Sequence, residues 1–153
     1  LTSSGSLNCN VRISSDRERL NVEDIRTMLS TTYWCPGITA SEIRKGIENS
    51  ALVVGAYLEN GRQVGFLRAV SDKIRFAYLL DVVVSEAYRR RGIAREMVRH
   101  TLSHPEMRGV YQWLLVTRDA HGVYEECGFR PLENPEKWMA ILKARPVRAD
   151  HGD

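Results

Sequence analysis

No run of apolar residues in this 153-residue sequence approaches the roughly 20 positions that a bilayer-spanning helix needs, so no membrane partner is expected. Cysteine is scarce. Cys9, Cys35 and Cys127 are odd in number and lack metal-type spacing, which argues against both a disulfide framework and a zinc site. His100 and His104 stand one helical turn apart, but no Glu follows His100 and no third ligand is evident, so no metal is expected. Internal repeats, low-complexity tracts and long linkers are also missing. Leu1 to Asn10 is rich in Ser and Gly without the basic start and apolar stretch of a signal peptide. The expectation is a flexible lead over 1–8, one domain over 9–145, a tail over 146–153, and a cytoplasmic location.

What the chain has is a β-rich front half and a basic cluster. Val11 and Ile13 mark a short first strand over Cys9 to Ser14. Asn21 opens a helix carrying Val22, Ile25, Met28 and Leu29 on one side, expected to end near Tyr33 and Trp34. Thr39 and Glu42 are spaced as a capping box, with Ile38 and Ile43 as a hydrophobic staple, so a second helix begins there. Leu52 to Leu58 and Val64 to Val70 are strands joined through Asn60-Gly61, a strong hairpin signal. Ser71-Asp72-Lys73 turns the chain into Ile74 to Val84, whose nearly continuous apolar end suits a central strand.

A loop over Ser85 to Arg91 leads to a helix from Gly92 to about His104, striped by Ile93, Ala94, Met97, Val98 and Leu102. Tyr111 to Thr117 reads as a strand parallel to the central one. Asp119 is placed to cap a short helix that Gly128 and Pro131 stop, and Trp138 to Leu142 reads as a last strand. The fold class is α/β, with an antiparallel front half and one parallel β-α-β crossover.

The segment Val82-Val83-Val84-Ser85-Glu86-Ala87-Tyr88-Arg89-Arg90-Arg91-Gly92-Ile93-Ala94 joins a buried strand, a basic loop and a helix that starts at glycine. A helix N-terminus leaves N–H groups unpaired and favours an anion, and a glycine there lets a ligand approach the backbone. Physically this is a phosphate cradle. Arg89, Arg90, Arg91, Arg95 and Arg99 deepen its potential, although such a run is also what a solvated helix face looks like. The net charge of +3 is too small to argue for nucleic acid, and neither interleaved aromatics nor a helix-turn-helix pattern supports such a partner. Walker and Gly-x-Gly-x-x-Gly motifs are both absent.

Arg89-x-x-Gly92-x-Ala94 matches the Arg/Gln-x-x-Gly-x-Gly/Ala signature of the GNAT N-acetyltransferase superfamily, and Tyr124-Glu125-Glu126-Cys127-Gly128-Phe129 resembles its Tyr-x-x-x-Gly-Phe block. The resemblance runs from about Val53 to Leu142. Thr117 to Tyr124 looks like a bacterial subgroup whose members mostly lack an assigned substrate. Membership implies a GNAT-like mixed, mostly antiparallel sheet flanked by helices, and transfer of an acetyl group from acetyl-CoA to an amine in a ternary complex, without metal.

By the same resemblance, Val82, Val83 and Val84 would hold the pantetheine arm through their backbone, and an N–H there would face the developing oxyanion. Arg90, Arg91, Gly92, Ile93, Ala94 and Arg95 would wrap the diphosphate, with Arg89 opening the motif. Tyr124 would stand near the sulfur and protonate the leaving thiolate, although a core role suits it too. An alkyl amine, with a pKa of about 10.4, must lose a proton before it attacks. Asp81 is the first candidate to take it, with Asp119 and His121 behind. Asp81 is equally suited to pairing with an arginine.

Many relatives carry Asn seven residues before the tyrosine, where this chain has Thr117. Tyr33 and Trp34 are candidates for an acceptor pocket or for the core. The acceptor is a small-molecule or protein amine, a homodimer is compatible with the family, and a catalytically silent acyl-CoA-binding sensor is the alternative function.

Overall fold

Residues 10–148 are described by the computed structural model. Five strands form one sheet in the order β1 (Arg12–Ser14), β2 (Leu52–Tyr57), β3 (Gln63–Ser71), β4 (Phe76–Val84) and β5 (Gln112–Leu114). Neighbours are antiparallel except β4 and β5, which are parallel. Helices α1 (Val22–Leu29) and α2 (Ala40–Glu48) cover one face, and α3 (Ile93–Leu102) covers the other, with α4 (His121–Glu126) beside it. This is the α/β architecture expected from the sequence, including the single parallel crossover. Cys9 lies outside the described residues.

The pleat sorts the core into two layers. Leu52, Val54, Val64, Leu67 and Leu79 pack with Ile93, Met97 and Val98 of α3. Val53, Phe66 and Val83 turn to the other face and pack with Ile25, Leu29 and Ile43 of the first two helices. Alternate residues of β2 and β3 are therefore buried on both sides, which is why these strands read as unbroken apolar runs.

The α2 start follows its signal closely. The Thr39 hydroxyl accepts from the Glu42 N–H at 3.2 Å, the Glu42 carboxylate accepts from the Thr39 N–H at 3.2 Å, and Ile38 and Ile43 are both buried. In the hairpin, Gly61 alone takes a left-handed φ, of 92°, while the Asn60 side chain accepts from the Arg62 N–H.

Helix α1, the start of α4 and the chain after Trp138 depart from expectation. Helix α1 ends at Leu29 rather than near Tyr33, because the Thr31 and Thr32 hydroxyls donate back to the carbonyls of Met28 and Leu29 and break the ladder. Asp119 does not cap α4. Ala120 holds that position without a side-chain cap, and the Thr117 hydroxyl accepts from the Ala120 N–H instead. Trp138 to Leu142 forms no strand, since the chain runs on toward the α1–α2 loop, where Arg145 donates to the carbonyls of Tyr33 and Trp34.

Arg148 ends this path in a forked contact with Glu42, at 2.8 Å to each carboxylate oxygen. The Arg148 guanidinium is the main reason that the Glu42 carboxyl sits at about 2 instead of its ordinary 4.5. A depressed carboxyl contributes stability that is complete above pH 4.5 and is lost as pH falls toward 2. Arg148→Ala should flatten the acid-unfolding curve within that window while leaving neutral-pH circular dichroism unchanged. An acid limb identical to the parent's would contradict the pairing.

Candidate active site

Where β4 approaches its end, pairing with both neighbours is disturbed. On the β3 side the register slips between Phe66 and Arg68, and Asp81 lies in this bulge with a left-handed φ of 56°. On the other side, pairing with β5 stops at Tyr78–Leu114, short of the expected Thr117. The last residues of β4 therefore border a cleft instead of a neighbouring strand. Ser85 donates its N–H to Val64 on the β3 side, so strand alternation turns the N–H groups of Val82 and Val84 the other way, toward the cleft. Arg89 Nε takes up the Val84 carbonyl at 2.9 Å.

Beyond the strand the loop coils tightly. Arg90 and Gly92 hold left-handed φ values of 65° and 81°, and Gly92 caps α3 with no side chain. The first helical bond runs from the Glu96 N–H to the Gly92 carbonyl, so the amides of Ile93, Ala94 and Arg95 precede it and are left to the cleft. A Cβ on Gly92 would stand 2.8 Å from Arg95 Nη2.

The expected cofactor-binding residues converge here. Val82, Val83, Val84, Arg89, Arg90, Gly92, Ile93, Ala94 and Arg95 all line one cavity of about 430 Å³, together with Tyr88, Val123 and Glu126. Arg91 is the exception. Its guanidinium packs over the Tyr88 ring, 5.2 Å from the centroid.

Glu126 was not anticipated. Its carboxylate accepts from Arg95 Nη1 at 2.9 Å, which ties α4 to the cradle. Arg95 Nε is buried and has no hydrogen-bond partner among the described residues, with the Glu96 carboxylate 3.9 Å away. A cradle of free helix amides, two left-handed residues and an under-used guanidinium suits a diphosphate.

Tyr124 lines a neighbouring cavity of about 440 Å³, shared with Trp113, Thr117, His121 and Phe129, while the adjacent Val123 faces the cradle. Its ring meets Phe129 edge-on at 6.0 Å. Burial, helped by Cys127, Tyr33 and Asp119, pushes its hydroxyl up to about 12, so it keeps its proton at neutral pH.

Asp81 is on the α1–α2 face, apart from both cavities. Its Oδ2 accepts from Arg68 Nε at 2.7 Å and its Oδ1 is 3.8 Å from the Cys35 thiol. That thiol is pushed up to about 11, first by burial and then by Asp81, so it stays protonated. The polar residue interrupting β3 at Arg68 was the available signal for this pair.

Asp119 forms a 3.7 Å pair with Arg118, whose guanidinium covers the Tyr33 ring at 3.7 Å. Tyr33 is exposed at the rim, whereas Trp34 packs against the core. Among the described residues no group of acidic, Cys and His side chains is arranged to hold a metal ion, and no helix is long and apolar enough to cross a membrane.

Residues 22–129 match the sequence model of the acetyltransferase (GNAT) family. The chain belongs to the GNAT acetyltransferase family. A solved protein from Xanthomonas campestris pv. campestris, assigned to the GNAT family, is 35% identical, with a TM-score of 0.81 over 87% of this chain and 93% of that one. Lower identities still share the fold. An acetyltransferase-like protein from Deinococcus radiodurans R1 is 21% identical, with a TM-score of 0.70 over 89% of each chain. Glucosamine-6-phosphate N-acetyltransferase from Arabidopsis thaliana is 18% identical, with a TM-score of 0.64 over 88% of this chain and 97% of that one. No curated protein matches the chain significantly.

In this GNAT domain, the left-handed φ of Gly92 is what opposes a methyl group there, since the atom it would meet is the movable end of the Arg95 side chain. Gly92→Ala should lower stability by about 1–2 kcal/mol in urea unfolding, the cost of a left-handed L-residue. A midpoint equal to the parent's would contradict the strained geometry.

Proposed function

We propose that this chain is an N-acetyltransferase that passes the acetyl group of acetyl-CoA to a primary amine, of a small molecule or of a protein, by direct attack within a ternary complex. The observation that carries the reading is the cradle. Free amides at the start of α3, Arg89 and Arg90 of the cationic loop and the turned-out backbone of β4 line one cavity, with the features a diphosphate and a pantetheine arm require.

Acetyl-CoA supplies the activated acyl group. The amides of Gly92, Ile93, Ala94 and Arg95 bind the diphosphate, and Arg90 and Arg91 screen its charge. The outward N–H groups of Val82 and Val84 hold the amide arm and offer a donor to the carbonyl oxygen as negative charge gathers there. Tyr124, protonated throughout the physiological range, gives its proton to the departing sulfur.

Asp81 takes the amine's proton through Oδ1, while Arg68 holds Oδ2 and keeps the carboxylate oriented. Because a thiol has a pKa of only about 8.5, help from Tyr124 accelerates a departure that can already occur. Thr117, where relatives often carry Asn, accepts from the Ala120 amide, which leaves its O–H free to donate to the far end of the arm.

Tyr124→Phe should reduce kcat by about 10- to 100-fold, the lower range for a positioned acid, with acetyl-CoA affinity unchanged. Asp81→Asn should reduce kcat while leaving acetyl-CoA affinity unchanged. Thiol release from acetyl-CoA over a panel of primary amines, with calorimetric binding measured alongside, reads both. Wild-type turnover in either variant would remove that residue from the mechanism. Binding without thiol release for any amine would favour a silent acyl-CoA sensor.

A further inference from the structure

The α1–α2 loop connects the two groups that the transfer reading pairs. Tyr33 is 44% exposed at the rim and near enough to Tyr124 to help push its hydroxyl up. At the other end of the same short stretch, the Cys35 thiol lies 3.8 Å from the Asp81 carboxylate. Tyr33-Trp34-Cys35 therefore runs from the proposed acid to the proposed base, and an amine that serves both passes Tyr33 on its way in.

The charges around this loop do not balance. Arg148 is matched by Glu42 and Arg68 by Asp81, each in a short ion pair. Arg118 sits over the Tyr33 ring, 3.7 Å from its centroid, and makes no hydrogen bond among the described residues. Its carboxylate neighbour, Asp119, is 3.7 Å away, and both side chains are largely exposed, so that pair contributes little and leaves the guanidinium donors free. Arg145 has no carboxylate partner among the described residues. Only its Nη1 is engaged, at 3.4 and 3.2 Å from the carbonyls of Tyr33 and Trp34. Across these contacts four guanidinium groups meet three carboxylates, and the two with free donors both touch Tyr33.

We propose that the acceptor is a small primary amine that also carries an oxyanion, a carboxylate or a phosphate, held beside Tyr33 by Arg118 and Arg145. A guanidinium presents paired N–H donors that match either oxyanion, and stacking on an aromatic ring orients it before the ligand arrives. A plain alkyl ammonium brings positive charge to a rim that already has an excess of it, and is opposed there. An oxyanion on the same molecule takes up that excess and leaves the amine pointing inward, toward Asp81 and Tyr124. Thr117, which precedes Arg118, lines the cavity that holds Tyr124, so the anion site and the reacting groups are neighbours. The direction of the amine rests on the acetyl-transfer reading, whereas the anion site stands on the loop and its arginines.

Calorimetry on the full chain in the presence of CoA tests this with matched amines: free amino acids against their amides, and aminoalkyl phosphates against the corresponding amino alcohols. At least one anionic member should bind about 10-fold or more tightly than its uncharged counterpart, the scale of one hydrogen-bonded ionic contact. Which series gains tells carboxylate from phosphate. Arg118→Gln and Arg145→Gln, both at exposed positions, should each reduce that preference by about the same factor, with acetyl-CoA affinity and circular dichroism unchanged. Counterparts that bind as tightly as every anionic member, no binding of any anionic amine, or a preference that survives both substitutions would overturn the proposal. Binding of an anionic amine without thiol release from acetyl-CoA would remove the transfer reading and leave this site standing. Thiol release confined to amines without an oxyanion would do the reverse.

Discussion

Asp81 holds a left-handed backbone in the middle of an otherwise regular strand, and this bulge marks where β4 stops behaving as a sheet member. Past it, β4 keeps its bonds to β3 but has no strand partner on the other side among the described residues. Unpaired amides in a protein interior are costly, so a polar cleft beside a strand is stable only if solvent or a ligand meets them. The chain places the start of α3 at the same spot, with a second set of unpaired amides. Two independent sources of free N–H donors thus open into one cavity, and the arginines of the intervening loop set its charge.

The surroundings hold that arrangement rigid. Ile93, Met97 and Val98 lock α3 onto the buried face of β2, β3 and β4, so the helix start cannot drift from the strand end. Arg89 fastens the loop to the Val84 carbonyl, and Arg95 reaches across to Glu126 on α4. On the opposite face, Arg68 neutralises Asp81 within a nearly closed space beside Cys35. A buried carboxylate without a cationic partner is costly, and Arg68 offsets that cost. The donor-rich cleft and the acidic position are thereby kept on different sides of one strand.

Much of this was legible in the sequence because its signals are local. The Thr39–Glu42 box, the Gly92 start and the Gly128 stop each act within one helical turn, and each does what its chemistry dictates. The cradle residues were equally readable, since contiguous positions deliver all but one of them to a single cavity. The failures are nonlocal or competitive. Threonine hydroxyls at 31 and 32 outbid helix continuation, and Thr117 displaced Asp119 as the group serving the α4 start. The Asp81–Arg68 pair depends on register across two strands. Trp138–Leu142 has the composition of a strand, but composition does not say which edge it will meet.

The central claim is that the diphosphate, gripped at the opening of α3, anchors the carrier in the cleft. Calorimetric titration of the folded chain with acetyl-CoA and, separately, with S-acetylpantetheine tests it directly, because the second ligand keeps the thioester and arm but lacks the diphosphate. The account predicts clear binding of acetyl-CoA that weakens with added salt, and binding of S-acetylpantetheine at least about 100-fold weaker, the loss expected when several charge-assisted hydrogen bonds are removed. Equal affinity for the two ligands, or no heat from acetyl-CoA, would contradict it.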